Sequence, residues 1–401
     1  MKTLFVTATA QTEANYYLIW HFFKENNTDI EKIVIISTEF TRSKGYVDNL
    51  TSVLTALQVG SEDSSVTIEE LHLSNGIEEN NVEAIKDVLL QWIAHNKASQ
   101  IIFNITGGTK LMSIAQDQIA QISSRYDCVY QSRANNQLVW YNRPPSKQCY
   151  DLVLPENLEA RLKARGYQTV SSETSFLALP AQQYHYIQQM YKYLDINLDK
   201  ARDLVFLLNA LAARVMNEPE HSFPHTVEVR DGYLIKKCIT WLKLLTKLPQ
   251  PYFSYDSTNS TLTWENKQAV EFVGGKWFEV LTGLWIVQHY LAQGQQVDVQ
   301  IGLQFKKTSD GNEVDVAYIN EGYLHLFECK TVNWDKQDNP TTKVNADLRK
   351  FDSVGQVGGL NTHKYFVSLF DVSDQSIAVA KDTGIEVITG NNLLDFGRYI
   401  V

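Results

Sequence analysis

Three short runs of almost uninterrupted apolar residues, "TLFVTA", "KIVIIST" and "QIIFNIT", recur within the first 106 residues. A strand that is apolar on both sides has no solvated face, so it must be covered twice. The intervening stretches supply the cover. "TEANYYLIWHFFKEN" reads as a helix, and "NNVEAIKDVLLQWIAHN" places Val82, Ile85, Val88, Leu89, Trp92 and Ile93 on one side at helical spacing. "GGTKLMSIAQDQIAQIS" is a helix opening behind two glycines, and "DCVYQS" with "QLVWYN" read as a closing pair of strands. Strands alternating with helices imply a mostly parallel sheet with helices on both faces.

Residues 1–145 therefore form a Rossmann-like domain in this reading. "RPPSKQ", Arg143 to Gln148, is the expected break. Residues 146–265 are expected to be a helical and hairpin region: "ARDLVFLLNALAARVM" and "YLIKKCITWLKLLTKL" are amphipathic helices, and "QPYFSYDSTNSTLTWENK" is a hairpin turning at Ser257–Ser260. Lys236, Lys243 and Lys247 share one face, read first as solvated, with a phosphate-facing stripe as the alternative. From about residue 266 to 401 the style changes again. "GGKWFEVLTGLWIVQHYLAQ" is a helix carrying Glu279; "DVQIGLQFKK", "NEVDVAYIN" and "GYLHLFECKT" are strands; "ADLRKFDSVGQVGG" is a helix; "KYFVSLF" and "IEVITG" close the domain. The fold class is thus α/β, two α/β domains joined through the middle region.

A chain of 401 residues with 44% hydrophobic residues has ample core for two or three domains. Its net charge of -10 excludes a generally cationic surface, so any nucleic acid must be met by local basic groups or by metal ions. Cys128, Cys149, Cys238 and Cys329 show neither C-x-x-C nor zinc spacing, and a reducing cytoplasm is the expected setting. "MKTLFVTATAQTE" is not a signal peptide, and no apolar segment reaches the length of a membrane span.

Within "GYLHLFECKTVNW", alternation puts Leu326, Glu328 and Lys330 on one strand face and Phe327 and Cys329 on the other. If Glu321 and Gly322 make a two-residue turn, counting outward places Asp315 opposite Glu328. Directly opposed residues have Cβ atoms roughly 5 Å apart, and two like charges there need a cation between them. Hard carboxylate oxygens suit Mg²⁺ or Mn²⁺, which acidifies water and neutralises a phosphate. Lys330 then orients the water or stabilises developing negative charge. The carbonyl of Cys329 is a further oxygen donor, while its thiol is expected to be inert, and Glu279 completes the set through water or a second metal. A solvated salt bridge is the plainer alternative for E-x-K alone.

The order Glu279, Asp315, Glu328, Lys330 resembles the PD-(D/E)xK, or restriction-endonuclease-like, nuclease core over about 130 C-terminal residues. Val314 stands where that superfamily often has proline, and Gln356 resembles a polar residue that some members use near the nucleophile.

"FNITGGTKLMS" carries the second signal. Asn104 lies near the strand's end, and Thr106, Gly107, Gly108, Thr109 and Lys110 then open a helix whose N-terminal N–H groups and dipole favour an anion. Neighbouring strand ends offer Thr7, Ala8, Thr9, Gln11, Thr12 and Asn15, and then Ser37 and Thr38, groups suited to ribose, base edges and phosphate. The spacing is neither a P-loop nor a dinucleotide fingerprint. "NITGGTK" resembles the signature loop of the CARF domain, the CRISPR-associated Rossmann-like sensor. Together the two ends are similar to CRISPR ancillary nucleases that join a CARF domain to a PD-(D/E)xK domain. The resemblance implies a homodimer whose paired CARF domains bind a cyclic oligoadenylate, commonly cyclic tetra-adenylate, from a type III CRISPR complex and so activate cleavage of DNA, RNA or both. The rival readings are a nucleotide-sensing DNA-binding regulator with an inactive nuclease-like domain, and a ring nuclease that degrades its own activator.

Overall fold

The computed structural model describes residues 2–24, 30–59, 66–74, 80–98, 100–132, 136–141, 143–144, 149–171, 174–175, 179–218, 222–230, 232–307, 311–359 and 361–400. Of the expected break at Arg143–Gln148, residues 145–148 lie outside the described residues. The chain divides into two compact units, Met1–Gln168 and Thr169–Val401.

The first unit runs β1 (Lys2–Thr7), α1 (Glu13–Lys24), β2 (Ile30–Thr38), α2 (Glu39–Ser43), α3 (Tyr46–Ala56), β3 (Thr67–Leu73), α4 (Val82–His95), β4 (Gln100–Asn104), α5 (Lys110–Ala120), β5 (Tyr126–Ser132), β6 (Gln137–Trp140), β7 (Cys149–Asp151) and α6 (Leu158–Lys163). Its sheet has the order β3-β2-β1-β4-β5-β6-β7. The first five strands are parallel, β6 adds antiparallel to β5, and β7 adds antiparallel to β6. Alternation along β1 builds two cores. Leu4 and Val6 pack with Tyr16, Leu18, Leu50, Val53 and Ala160 on one face. Phe5 packs with Leu89, Trp92, Ala115 and Ile119 on the other. Strand β3 escaped the sequence reading because its pattern, "TIEELHL", is that of a half-solvated edge strand. Glu69 is held there by Lys32 at 2.7 Å and by the Trp92 indole N–H at 2.8 Å.

The second unit runs β8 (Gln168–Ser171), β9 (Thr174–Ser175), α7 (Ala181–Ile196), α8 (Leu198–Asn217), β10 (His225–Glu228), α9 (Gly232–Leu245), β11 (Phe253–Asp256), β12 (Thr261–Trp264), α10 (Lys267–Glu271), α11 (Trp277–Ala292), β13 (Gln300–Lys306), β14 (Gly311–Asn320), β15 (Tyr323–Lys330), α12 (Pro340–Gly355), β16 (Thr362–Ser368), α13 (Asp374–Asp382) and β17 (Ile385–Thr389). Its main sheet has the order β17-β16-β15-β14-β13-β8, with β9 also on β13. β15, β16 and β17 are parallel, and β13, β14 and β15 form an antiparallel meander. The expected hairpin is β11–β12, and β10 joins it as a third strand. The helix expected from Gly274 begins instead at Trp277, because Phe272–Lys276 form a wide π-type turn between α10 and α11. Gly274 packs closely on α8 there: a Cβ would lie 3.2 Å from the Ala212 Cβ, a tight contact. Among the described residues no helix is long and apolar enough to cross a membrane.

The sheet is covered on both faces. Lys364, the register partner of Leu326, reaches Asp352 of α12 at 2.5 Å, so α12 lies on the face that Leu326 shares with Glu328 and Lys330. Cys329 and Tyr318 meet Thr282 and Tyr290 of α11 on the opposite face.

The β14–β15 turn sets the register of everything that follows. Glu321 and Gly322 both have positive φ, 49° and 74°, the signature of a type I′ turn, and Asn320 pairs with Tyr323. Glutamate is a poor occupant of a left-handed position, whereas asparagine tolerates it. Glu321→Asn is expected to stabilise the fold by about 1 kcal/mol or less. Urea denaturation of the second unit's transition checks this, and a destabilised variant would contradict the turn assignment.

Candidate active site and ligand loop

From the turn, the pairing runs outward to Val316 opposite Phe327, one step short of Asp315 and Glu328. The backbone N–H of Cys329 donates to Asp315 Oδ2 at 2.6 Å, and Lys330 Nζ lies 2.5 Å from Glu328 Oε1. Burial pushes the Asp315 carboxyl up to about 7, and the charge of Glu328 adds to that rise. Burial by itself would lower the Lys330 ammonium; the carboxylates of Glu328 and Asp315 override it and hold the pKa above the ordinary lysine value. The Cys329 thiol, buried against Thr282, is pushed far up by burial and then by Asp315, so it carries little thiolate.

Asp315, Glu328 and Lys330 therefore meet on one face at the C-terminal end of β15. Glu279 stands in the first turn of α11, the helix on the Cys329 side, and its charge acts on that thiol. Among the described residues no three His, Cys, Asp or Glu side chains cluster closely enough to hold a metal ion by side chains alone. Gln356 is not brought to the acids. It caps the C-terminal end of α12, where the chain turns back to Thr362 beside Leu324, the opposite end of β15 from Lys330.

In the first unit, β1 and β4 are neighbours although α1, β2 and β3 separate them in sequence. The connections leaving them run in opposite directions, and this strand-order reversal opens a crevice beyond their C-terminal ends. Thr106–Thr109 line it, with Thr109 capping α5 by accepting from the Met112 N–H at 3.3 Å. Gly108 has φ 87°, and a Cβ there would fall 2.7 Å from Thr7 Cγ2, so the loop packs directly on β1. Lys110 is exposed and makes no ion pair among the described residues, so its charge is available.

The structure sorts the other expected ligand residues into two groups. Gln11, Gly108 and Thr109 are exposed, and Thr9 and Thr106 are partly so. Thr7, Ala8, Thr12, Asn15, Ser37, Thr38, Asn104 and Gly107 are buried. Most of the buried polar ones are occupied. The Asn104 amide donates to Ala14 O at 2.8 Å and Asn15 Oδ1 at 3.0 Å, and its own oxygen accepts from the Thr106 N–H. Asn15 donates to Thr7 O at 2.7 Å. Ser37 donates to Glu70 and lies 3.2 Å from His72 Nδ1, while Thr38 caps α2. They hold the crevice's shape; the Thr12 hydroxyl alone of this set is buried without a partner.

The family model for the Card1 CARF domain matches residues 6–157, and that for the Card1-like endonuclease domain matches residues 266–400. The chain carries a Card1 CARF domain followed by a Card1-like endonuclease domain. Its fold is similar to protein VC1899 from Vibrio cholerae, with TM-score 0.75 and 19% identity over 99% of this chain and 96% of that one. It is also similar to Can2 from Sulfobacillus thermosulfidooxidans, solved in complex with cyclic tetra-adenylate, with TM-score 0.67 and 15% identity over 99% and 98% of the two chains. A type III CRISPR defence DNA nuclease activated by cyclic oligoadenylate matches with TM-score 0.50 and 13% identity over 98% of this chain, which spans 51% of that one. Such low identities establish a shared fold. No curated protein matches the chain.

The middle helices brace the endonuclease strand ends, a role the sequence reading missed. Asn209 of α8 donates to the carbonyl of Thr331, directly after Lys330, at 2.9 Å. Arg202 of the same helix donates to the carbonyl of Leu369, directly after β16, at 2.8 Å, and pairs with Asp371. The available signal was Asn209 itself, a lone amide inside the apolar run "VFLLNALAA".

Asp315 generates a prediction. Between an unfolded value of about 3.9 and a folded one near 7 the native state holds the extra proton, so stability falls as pH rises through that window. Asp315→Asn removes the charge but keeps an oxygen for the Cys329 N–H. In EDTA at pH 8 the variant should be more stable than wild type by about 1 kcal/mol or more, with the gap closing below about pH 4. Equal stability at pH 8 in chemical denaturation would contradict an uncompensated buried charge.

Proposed function

We propose that this chain is a metal-dependent endonuclease of type III CRISPR antiviral defence, activated by cyclic tetra-adenylate and acting on DNA, RNA or both as a cytoplasmic homodimer. In this reading residues 1–145 sense the activator, 146–265 connect, and 266–401 form a PD-(D/E)xK nuclease core. The observation that carries it is the part-buried pair Asp315 and Glu328 with Lys330 beside them, in a chain whose other unit presents a glycine loop and a free lysine at a sheet crevice. The cyclic tetra-adenylate in the Can2 structure supports the choice of activator.

The donors fit a hard divalent cation. Asp315 is a carboxylate whose raised pKa marks negative charge that its surroundings leave uncompensated. Asp315, Glu328 and the Cys329 carbonyl would hold Mn²⁺ or Mg²⁺, with Glu279 reaching it through water or a second ion. A main-chain donor accounts for the missing third side chain in the cluster. When bound, the cation supplies Lewis acidity and charge neutralisation at the scissile phosphodiester. The Cys329 N–H fixes the orientation of Asp315. Lys330, held protonated by its acidic neighbours, offers its ammonium to the attacking water or to the developing charge on phosphate. Glu328→Ala and Lys330→Ala should each lower cleavage of supercoiled plasmid and single-stranded RNA at least 100-fold in Mn²⁺, with activator binding unchanged. Full activity in either variant, or in excess EDTA, removes the metal-nuclease reading.

For the sensor, Thr9, Gln11, Thr106, Gly108, Thr109 and Lys110 are the proposed contacts. A single sheet edge is too shallow to enclose a ring of four nucleotides. Two edges related by a two-fold axis make a pocket in which Lys110 and the α5 N-terminus each appear twice. The ring carries about four negative charges, which that doubled set complements. Titration calorimetry with light scattering should give one cyclic tetra-adenylate per dimer, and Lys110→Ala should shift half-maximal activation about tenfold upward without changing maximal cleavage. One ligand per monomer would sink this arrangement.

A further inference from the structure

Helix α12 lies over the Glu328–Lys330 face with Val344, Leu348 and Phe351 buried beneath it. Its two flanks can be told apart. Thr341 meets Ser373 at the start of α13, and Asp352 meets Lys364, whose ammonium also donates to the Thr383 carbonyl just after α13. That flank faces α13 and β17. At about 100° per residue, Asp347 falls on the other flank, roughly 60° from Val344, on the side of β15 and of β14, which α12 also touches.

Its height along the strands follows from the same anchor. Five residues back from Asp352 is about 7.5 Å along the helix. Because α12 runs back against the direction of β16, that distance carries Asp347 about two strand residues beyond Lys364. Two residues beyond Lys364 is Phe366, the register partner of Glu328. Asp347 is half-buried and makes no hydrogen bond or ion pair among the described residues. Its charge nonetheless acts on Lys330, in the direction that keeps the ammonium protonated.

We propose that Asp347 is a positioning residue for Lys330, the waiting counter-ion that receives its ammonium when Glu328 turns to a cation. The inference rests on the metal-nuclease reading. Lys330 now holds Glu328 at 2.5 Å. That contact occupies Oε1 and draws charge from the carboxylate, so releasing it makes Glu328 a stronger ligand for a divalent ion, and a part-buried ammonium released without a partner is costly. Asp347 lies on the same sheet face, at the height of Glu328, with a free carboxylate. A swing of Lys330 from Glu328 to Asp347 frees the ligand and keeps the ammonium beside the scissile group.

The test uses the full-length protein and Mn²⁺ alone, titrated by calorimetry, beside plasmid cleavage with cyclic tetra-adenylate. Asp347→Asn should weaken Mn²⁺ binding at least tenfold and slow cleavage, while Asp347→Glu restores Mn²⁺ affinity to within about threefold. A purely structural aspartate would alter melting and leave Mn²⁺ affinity alone. Wild-type affinity in the Asn variant overturns the inference and leaves the nuclease reading standing. Absence of Mn²⁺ binding and cleavage in the wild type overturns both. Should the Asn variant unfold, Asp347→Ser carries the same comparison.

Discussion

The carboxyl group of Asp315 lies part-buried across a hairpin from Glu328, with one backbone N–H and one lysine to answer two acids. Like charges directly opposed in a sheet are unfavourable, and burial sharpens the conflict by removing water. The rest of the second unit is arranged so that this placement cannot relax. A two-residue turn fixes the β14–β15 register, and slipping it by one residue would carry Glu328 and Lys330 to the α11 face and bring Cys329 out to replace them. That slip would pull Cys329 away from Thr282 of α11 and Phe327 from its stack on Tyr365. Strain of this kind persists only where surrounding packing over-determines it, and it collects at functional sites.

The strand ends that carry these groups are anchored from an unexpected quarter. Helix α8 belongs to the stretch between the two family-matched regions, yet Asn209 and Arg202 hold the carbonyls that follow β15 and β16. These are the positions at which a sheet would otherwise fray, since strand-end carbonyls lack ladder partners. The same helix accepts the close approach of Gly274, which seats the turn before α11 and thus the first turn that bears Glu279.

In the CARF domain the governing constraint is strand order. Placing β1 beside β4 makes their outgoing connections diverge, and a loop that must fit between them needs a left-handed residue pressed against β1, which Gly108 supplies. Beneath it, Asn104, Asn15 and Thr7 satisfy one another's polar groups. The loop is therefore held in one conformation by the chain's own groups.

Much of this was legible in the sequence for local reasons. Apolar runs of strand length, period-2 alternation, a two-residue turn and a glycine pair before a helix each report on neighbours a few residues away. From them followed the α/β class, the shared face of Glu328 and Lys330 and the nearness of Asp315 to that end of β15. Spacing along one element does not say what another element lays over it. Only tertiary packing decided that Asn104 is framework beneath the crevice and Ser37 is tied to β3, that Gln356 sits at the far end of β15, that Glu279 approaches from the Cys329 side, that α8 ties down the strand ends and that the charge of Asp347 acts on Lys330. Each of those outcomes depends on long-range register between helix and sheet. The summed packing of both surfaces sets that register, and no short pattern encodes it.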